Sequence, residues 1–286
     1  MASPNPDHEK NRVSWNAATV RHNTHRGDQA TFFRTGGSTL FPEEVALLGY
    51  INGKTLLHLQ CNAGQDSISI ASKLGAQVTG VDISDEAIQF ARQLARESGI
   101  GATFVRSDLF DWFDANTQQF DVVFTSYGTT CWLNDLDRWA HGIAAALKPG
   151  GRFVMIEFHP MLVAFNEQWQ LDVDYMGGRA MYYNTGVYDY VGDSSGSETG
   201  MGTRGENSEG WINPNPSVEF LWGIADHVRP LLAAGLALTG LEEYPYVNGW
   251  KPFADMVERA GRRMYPPENK PVIPCMFSLT ASKPTG

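Results

Sequence analysis

Between residues 54 and 159 the apolar positions switch repeatedly between the short runs or alternation of a strand and the wider spacing of an amphipathic helix. "KTLLHLQ" (54–60) predicts a buried strand, and "QDSISIASKLG" (65–75) predicts a helix closed by Gly75. "AQVTGVDIS" (76–84) alternates and is rich in β-branched residues, so it predicts a second strand. "SDEAIQFARQLARESG" predicts a second helix. Ser84 caps it, Asp85 and Glu86 suit its positive end, Ile88, Ala91 and Ala95 share a face, and Gly99 stops it. "ATFVRSD" (102–108) and "FDVVFTSYG" (120–128) predict strands three and four. "DLDRWAHGIAAALKPGG" (135–151) predicts a helix ended by Pro149 and two glycines, and "RFVMIEFH" (152–159) predicts a fifth strand. Strands alternating with helices through short links imply a parallel sheet covered on both faces, with right-handed crossovers.

The ends of the chain read differently. Residues 1–50 hold a polar lead, a helix around "RVSWNAATVRHN", and "FPEEVALLG" before the first strand. Residues 160–223 are poor in aliphatics and rich in Tyr, Gly, Ser and Trp, and a structureless loop of that length is unusual in a compact domain. "RAMYYNTGVYDYVG" predicts a hairpin around Asn184, Thr185 and Gly186, and "GDSSGSETGMGTRGENSEG" (192–210) is expected to be mobile. A helix near 224–235, a strand "LALTGLEEY", a helix near 253–264 and a last strand "CMFSLTAS" follow.

Composition narrows the partners. The 286 residues carry a net charge of −10, which argues against nucleic acid or an anionic membrane surface. "RAGRRM" (259–264) is the nearest thing to a basic patch and reads as a solvated helix end. The first ten residues are polar and predict no signal peptide, and no apolar run reaches the length of a membrane span. Cys61, Cys131 and Cys275 are scattered and odd in number, as buried thiols of a reducing, cytoplasmic compartment would be. The seven histidines show no metal spacing beyond "RHNTH", so no metal is expected.

The chemistry gathers at the strand ends. In "LLHLQCNAGQD" (56–66) a strand enters a turn holding one glycine, Gly64, and leaves as a helix whose free N–H groups and positive dipole end favour a carboxylate or phosphate. Asp82 ends the second strand, where a carboxylate accepts the hydroxyls of a ribose. Asp108 ends the third, where an acid meets an adenine amino group. Ser126 and Tyr127 end the fourth, at the same rim. In an open parallel sheet these groups converge on one crevice.

The ordered series "LLHLQCNAGQDSISIA", "VTGVDIS", "ATFVRSD", "FDVVFTSYG" and "LKPGGRFVMIEFH" resembles a class I S-adenosylmethionine-dependent methyltransferase of the small-molecule type, across residues 42–160 and the C-terminal strands. The resemblance implies a Rossmann-like α/β fold: a seven-stranded, mostly parallel sheet with helices on both faces. It divides the chain into an N-terminal cover (1–41), a cofactor-binding core (42–160), an inserted lid or substrate region (161–223) and a C-terminal completion of the sheet (224–286). The turn departs from the family's D-x-G-x-G-x-G pattern. His58 replaces the acid, Gln60 and Asn62 replace two glycines, and only Gly64 remains.

By resemblance, the backbone of Gln60, Cys61, Asn62 and Gly64 cradles the methionine end of S-adenosylmethionine. Asp82 holds the ribose, Ile83 packs on the adenine, Asp108 and Leu109 frame its other side, and Ser126 and Tyr127 line the methyl side. Asp82 has the alternative of merely capping a helix, Asp108 of being a surface acid, and Cys61 of being a packing residue. The implied reaction is in-line methyl transfer to a small molecule, at an N, O, C or S atom, leaving S-adenosylhomocysteine. It is chiefly a matter of alignment and exclusion of water. If the acceptor must lose a proton, Tyr127, Glu157 and His159 stand just past strand ends as candidate bases, with His22 and His25 behind them; a loop histidine bonded to backbone is the plainer reading of His159. Trp15, Phe32, Phe33, Tyr182, Tyr183, Tyr188, Tyr190, Trp211, Phe220 and Trp222 either face the acceptor or form the insertion's own core, and the latter is expected for most. Two other readings stand beside this one. A nicotinamide dehydrogenase would want more glycines and has no use for "LKPGG". A cofactor-binding protein that no longer methylates, cyclase-like or sensing, would tolerate the altered turn.

Overall fold

The computed structural model describes residues 5–166, 168–192 and 210–285. Seven strands make the main sheet: β1 (Thr55–Leu59), β2 (Gln77–Asp82), β3 (Thr103–Arg106), β4 (Phe120–Ser126), β5 (Leu147–Phe158), β8 (Ala237–Tyr244) and β12 (Met276–Ser282). Their order is β3-β2-β1-β4-β5-β12-β8. The first five pair in parallel, and β12 runs antiparallel to both its neighbours. The order reverses between β1 and β4, which opens a crevice at their carboxyl ends.

Helices cover both faces. Ahead of the sheet come α1 (Pro6–Thr24), α2 (Gln29–Arg34) and α3 (Pro42–Leu48). Between strands lie α4 (Gln65–Leu74), α5 (Asp85–Ser98), α6 (Leu109–Ala115) and α7 (Leu136–Ala146). The short α8 (Pro160–Val163) follows β5, and α9 (Ile224–Ala233) precedes β8. Alternation along the strands divides the core. Leu57, Leu59, Val123, Phe153 and Met155 pack with Trp139 and Ile143 of α7 and Leu231 of α9, while Leu56, Val122, Phe124 and Val154 face Leu48 of α3 and Ile70 of α4. Each fully buried side chain of this size contributes roughly 1.5–3 kcal/mol. Ser84 accepts a hydrogen bond from Ala87 N at the start of α5, and Gly75 and Gly99 end α4 and α5 in the left-handed conformation. Among the described residues no helix is long and apolar enough to cross a membrane.

Three expected elements differ. The helix predicted to run to Pro149 stops at Ala146, because Leu147 is fully buried and extended (φ −83°, ψ 136°) and pairs with Phe120. Lys148, preceding Pro149, is also disfavoured in the helical region. The hairpin predicted within residues 179–192 does not form: β6 (Arg179–Tyr183) pairs instead with β7 (Ser217–Leu221). Val187 and Tyr188 dock on α1, through Ser14 Oγ accepting from Val187 N (2.9 Å) and His22 Nε2 meeting Tyr188 O (3.0 Å). The helix predicted near 253–264 is a hairpin of β10 (Val257–Arg259) and β11 (Arg263–Tyr265), joined by β9 (Val247–Asn248). Met256 and Met264 bury there beside Leu162 and Cys275, and "RAGRRM" is its turn rather than a helix end. Residues 193–209 of the segment expected to be mobile lie outside the described residues.

Helix α1 is longer than predicted, and Asn5 caps it. The face it buries is polar: His8, Asn11, Ser14, Thr19 and His22. Asn11 exchanges two hydrogen bonds with the backbone of Val218 in β7, each of 2.8 Å, as a neighbouring strand would. Asn213 Nδ2 donates to Ser14 O at 2.9 Å. Side chain-to-backbone bonds therefore fasten the N-terminal segment to the insertion, over the strand ends.

Candidate active site

The turn after β1 keeps a glycine-like path without the glycines. Gln60 (φ 51°), Asn62 (φ 48°) and Gly64 (φ 80°) are all left-handed, at roughly 1–2 kcal/mol for each residue that bears a Cβ. The two side chains hold the strained path in place. Gln60 Nε2 donates to Thr129 O (2.8 Å), and Asn62 Oδ1 accepts from Ala63 N (2.6 Å). The erosion of the motif is in composition, not in shape.

Asp82 closes this turn onto the end of β2. Its Oδ2 accepts from Asn62 N and its Oδ1 from Ser84 N, both at 2.8 Å. Burial pushes its carboxyl above the usual range, against the pull of those N–H groups. The alternative of a helix cap falls to Ser84, which does the capping.

Gln60, Cys61, Asn62, Asp82, Ile83, Asp108, Leu109, Ser126 and Tyr127 all line one cavity, of about 170 Å³. Gly64 does not reach it. Gly64 lies beneath the turn, where an added Cβ would come within 2.8 Å of Ala91 and Phe104. Cys61 is 4% exposed, and burial followed by the charge of Asp82 pushes its thiol well up, which suits packing rather than reactivity. Asp108 is not a free acceptor as expected. It caps α6, and its Oδ2 receives a hydrogen bond from His8 Nδ1 at 2.6 Å. The pairing outweighs burial and holds the Asp108 carboxyl below the usual range.

The candidate bases are otherwise engaged. Glu157 accepts from the backbone N–H groups of Gly128, Thr129 (2.8 Å) and Thr130 (3.3 Å), and from Thr129 Oγ1 (3.1 Å). It fixes the loop after β4 and also lines the second cavity described below. His159 lines neither cavity described here: its Nδ1 accepts from Met161 N (3.0 Å), capping α8, and its Nε2 meets Glu243 (2.8 Å). Tyr127 does face the cavity, but burial, then Glu44, raises its phenol well above the usual range, and its hydroxyl accepts from Asn248 Nδ2 at 3.0 Å. His22 and His25 bind Tyr188 O and Asp189, away from both cavities.

A second cavity, about 730 Å³, adjoins the first. The two share Trp15, Tyr127, Gly128, Trp132 and Tyr190, with Trp15 edge-on to Trp132 at 5.4 Å. Tyr183, Tyr188, Phe220 and Trp222 line it, so these aromatics face a cavity rather than closing a core of their own. Phe32 and Phe33 pack beside α5 instead, and Tyr182 is exposed. His227 also lines this cavity. Its Nδ1–H donates to Gly223 O (2.8 Å), Thr130 Oγ1 lies 3.0 Å from Nε2, and burial lowers its pKa to about 4, so the ring is neutral.

Sequence reasoning missed His8, Arg26, Glu44, Asp66, Trp132 and His227, all wall residues. His8, Arg26 and Glu44 come from segments ahead of the first strand and carry no motif, and Asp66 sits just past the turn, in the first turn of α4. Among the described residues eight buried side-chain atoms lack any hydrogen-bond partner, and four of them, on His8, Arg26, Glu44 and Gln60, belong to the wall of the smaller cavity. Buried polar groups are normally satisfied. Their concentration in one cavity marks a place built for a polar ligand.

Residues 56–151 match the family model described as "Methyltransferase domain". A stretch of 103 residues is 36% identical to a "Ubiquinone biosynthesis O-methyltransferase" of Serratia proteamaculans, covering 36% of this chain and 42% of that protein. The chain thus spans under half the length of that curated relative. Among solved structures, an S-adenosylmethionine-dependent methyltransferase from Clostridium acetobutylicum superposes with a TM-score of 0.53 at 14% identity, over 85% of this chain and 88% of that one. One from Mesorhizobium loti gives 0.51 at 19%, over 86% and 98%. These two likenesses speak for the fold alone. Residues 56–151 thus match a methyltransferase domain, on a fold shared with solved S-adenosylmethionine-dependent methyltransferases.

Proposed function

We propose that the chain transfers a methyl group from S-adenosylmethionine to a small-molecule acceptor. The observation that carries this reading is the smaller cavity itself. It sits where the strand order reverses, has the doubly anchored Asp82 in its wall, and holds four buried polar atoms that nothing among the described residues satisfies. The residues present fit the cofactor: Asp82 for the ribose, Ile83 and Leu109 for the faces of the adenine, His8 with Asp108 at its edge, and the turn from Gln60 to Asn62 for the methionine end.

When bound, the cofactor supplies a methyl group already activated on a sulfonium. The chain's part is to position and to keep out water. Trp15, Tyr127, Trp132 and Tyr190 form the passage between the cavities, and their ring faces attract a cation and exclude solvent. The second cavity takes the acceptor. Its aromatic walls suit a flat, largely apolar molecule. A neutral His227, tied to Thr130, lines that space and serves as proton acceptor when the accepting atom must lose a proton. The described residues of the N-terminal cover (within 1–41) and of the insertion (within 161–223) line the cavities over the core (42–160), and those within 224–286 complete the sheet. Free, mainly buried cysteines suit a cytoplasmic setting.

Calorimetric titration tests the reading. S-adenosylmethionine and S-adenosylhomocysteine are expected to bind, NAD is not, and Asp82→Ala should lose both adenosyl ligands. Hydroxylated aromatic compounds are the first acceptors to screen, since the curated relative is an O-methyltransferase by name. Failure of the wild-type chain to bind either adenosyl ligand would refute the proposal.

A further inference from the structure

We infer that Glu44, Asp66 and Arg26 together form the receptor for the zwitterionic amino-acid end of the cofactor, the two carboxylates taking its ammonium and the guanidinium its carboxylate. This rests on the cofactor reading above and goes beyond it in assigning residues outside the family's motif.

The starting point is a charge that is missing. His58 stands where the family places an acid. Its ring is buried, shares a hydrogen bond with Ser67 Oγ (2.8 Å), and has its pKa lowered to about 3 by burial, so it offers no negative charge. The same cavity holds two acids from elsewhere, Glu44 on α3 and Asp66 in the first turn of α4. Glu44 is 1% exposed. One of its oxygens accepts from Phe41 N at 2.6 Å, while the other, Oε1, is buried with no donor. Asp66 is half-buried and accepts from Thr39 Oγ1.

Burial, then the proximity of Asp66, pushes the Glu44 carboxyl well up, and burial does the same to Asp66. Glu43, Arg262 and Tyr127 are the other ionisable groups that bear on this pair, and none donates a hydrogen bond to Glu44 Oε1. Arg262 acts on both carboxyls and Arg26 on Asp66 through charge alone, and among the described residues no donor reaches the buried Glu44 Oε1, an unfavourable arrangement in a folded protein. Arg26 shows the complementary defect. It lines the same cavity, and its Nε is buried without an acceptor. A simple cation would satisfy the acids and leave Arg26 unmatched; an anion would do the reverse. A ligand with an ammonium and a carboxylate on one carbon meets both signs.

The experiment compares two adenosyl thioethers by calorimetry on the full chain. S-adenosylhomocysteine carries the amino-acid end and methylthioadenosine lacks it. The wild type should bind the former more tightly. Glu44→Gln, which retains an oxygen for Phe41 N, and Arg26→Met should each weaken S-adenosylhomocysteine by about tenfold to a hundredfold, as loss of a hydrogen bond to a charged group does. Methylthioadenosine affinity should not change, which also shows that each variant is folded. Equal losses for both ligands, or no loss for either, would overturn the assignment. Binding of neither ligand by the wild type would overturn the cofactor reading itself, and this inference with it.

Discussion

Gly64 is under two constraints that a single substitution separates. Its φ of 80° is left-handed, and a Cβ there would lie 2.8 Å from both the Ala91 methyl and the Phe104 ring. Carbon atoms pack at about 3.5–4 Å, and both neighbours are buried, at 0% and 4% exposure, so neither side chain can swing into solvent. Gly64→Ala should therefore incur the left-handed strain of roughly 1–2 kcal/mol and an overpacking term of roughly 1–3 kcal/mol. The stiffer unfolded chain offsets about 0.4–1 kcal/mol of this, so the net loss is about 2–4 kcal/mol. Gly99→Ala is the control: its φ is 72°, but nothing lies within 4 Å of the added Cβ, and only the strain should register. Urea unfolding of both variants beside the wild type measures the difference. If Gly64→Ala destabilises no more than Gly99→Ala, the close packing of α4 on α5 and β3 is not what requires glycine in the turn, and the reasoning fails.

Three further outcomes follow from the buried ionisable groups. His22, His58 and His227 have pKa values lowered by burial to about 4, 3 and 4, from an ordinary 6.5; stability is therefore present above pH 6.5 and lost as the pH falls toward those values, by up to about 1.4 kcal/mol per pH unit for each ring. Unfolding midpoints measured from pH 7 to 4 should fall steeply, and His227→Gln should flatten that profile; an unchanged slope would contradict it. Glu44 has the opposite sign: its raised pKa contributes stability below the ordinary 4.5 that is lost as the pH rises through the folded value. Glu44→Gln should then stabilise the ligand-free protein by about 1–3 kcal/mol at pH 8, with a smaller gain at pH 5, read by the same unfolding assay. His159→Ala should lower stability by about 1 kcal/mol through the lost cap of α8 while leaving S-adenosylhomocysteine affinity unchanged, and a loss of affinity would return His159 to the site.

The alternation of residues 54–159 sufficed for five strands, their parallel pairing and the rim at which Asp82, Asp108, Ser126 and Tyr127 meet. Those features are local. A buried strand has an apolar run, a helix start has a cap such as Ser84, and a carboxylate at a strand end stays at the strand end whatever covers it. What escaped the sequence depends on partners distant along the chain. The buried stripe of α1 is polar, so no hydrophobic period announces it, and its partners are backbone atoms some 170–210 residues away, such as Val187 N and Val218 O. Residues 253–264 were short enough for the pairing of β11 with β9, and the burial of Met256 and Met264, to override a weak helical spacing. His159 had the right position for catalysis, but Met161 N and Glu243 took up its ring nitrogens, while Glu157 stays in the wall of the second cavity with backbone N–H groups on its oxygens. Glu44 and Arg26 gained their character only when folding removed them from water without giving every polar atom a partner. The strands, their parallel run and the rim of the crevice were written in the local pattern; the strand order, which side chains line the cavity, and with what charge, were decided by long-range packing and burial, because desolvation and hydrogen-bond competition exist only once the elements are packed.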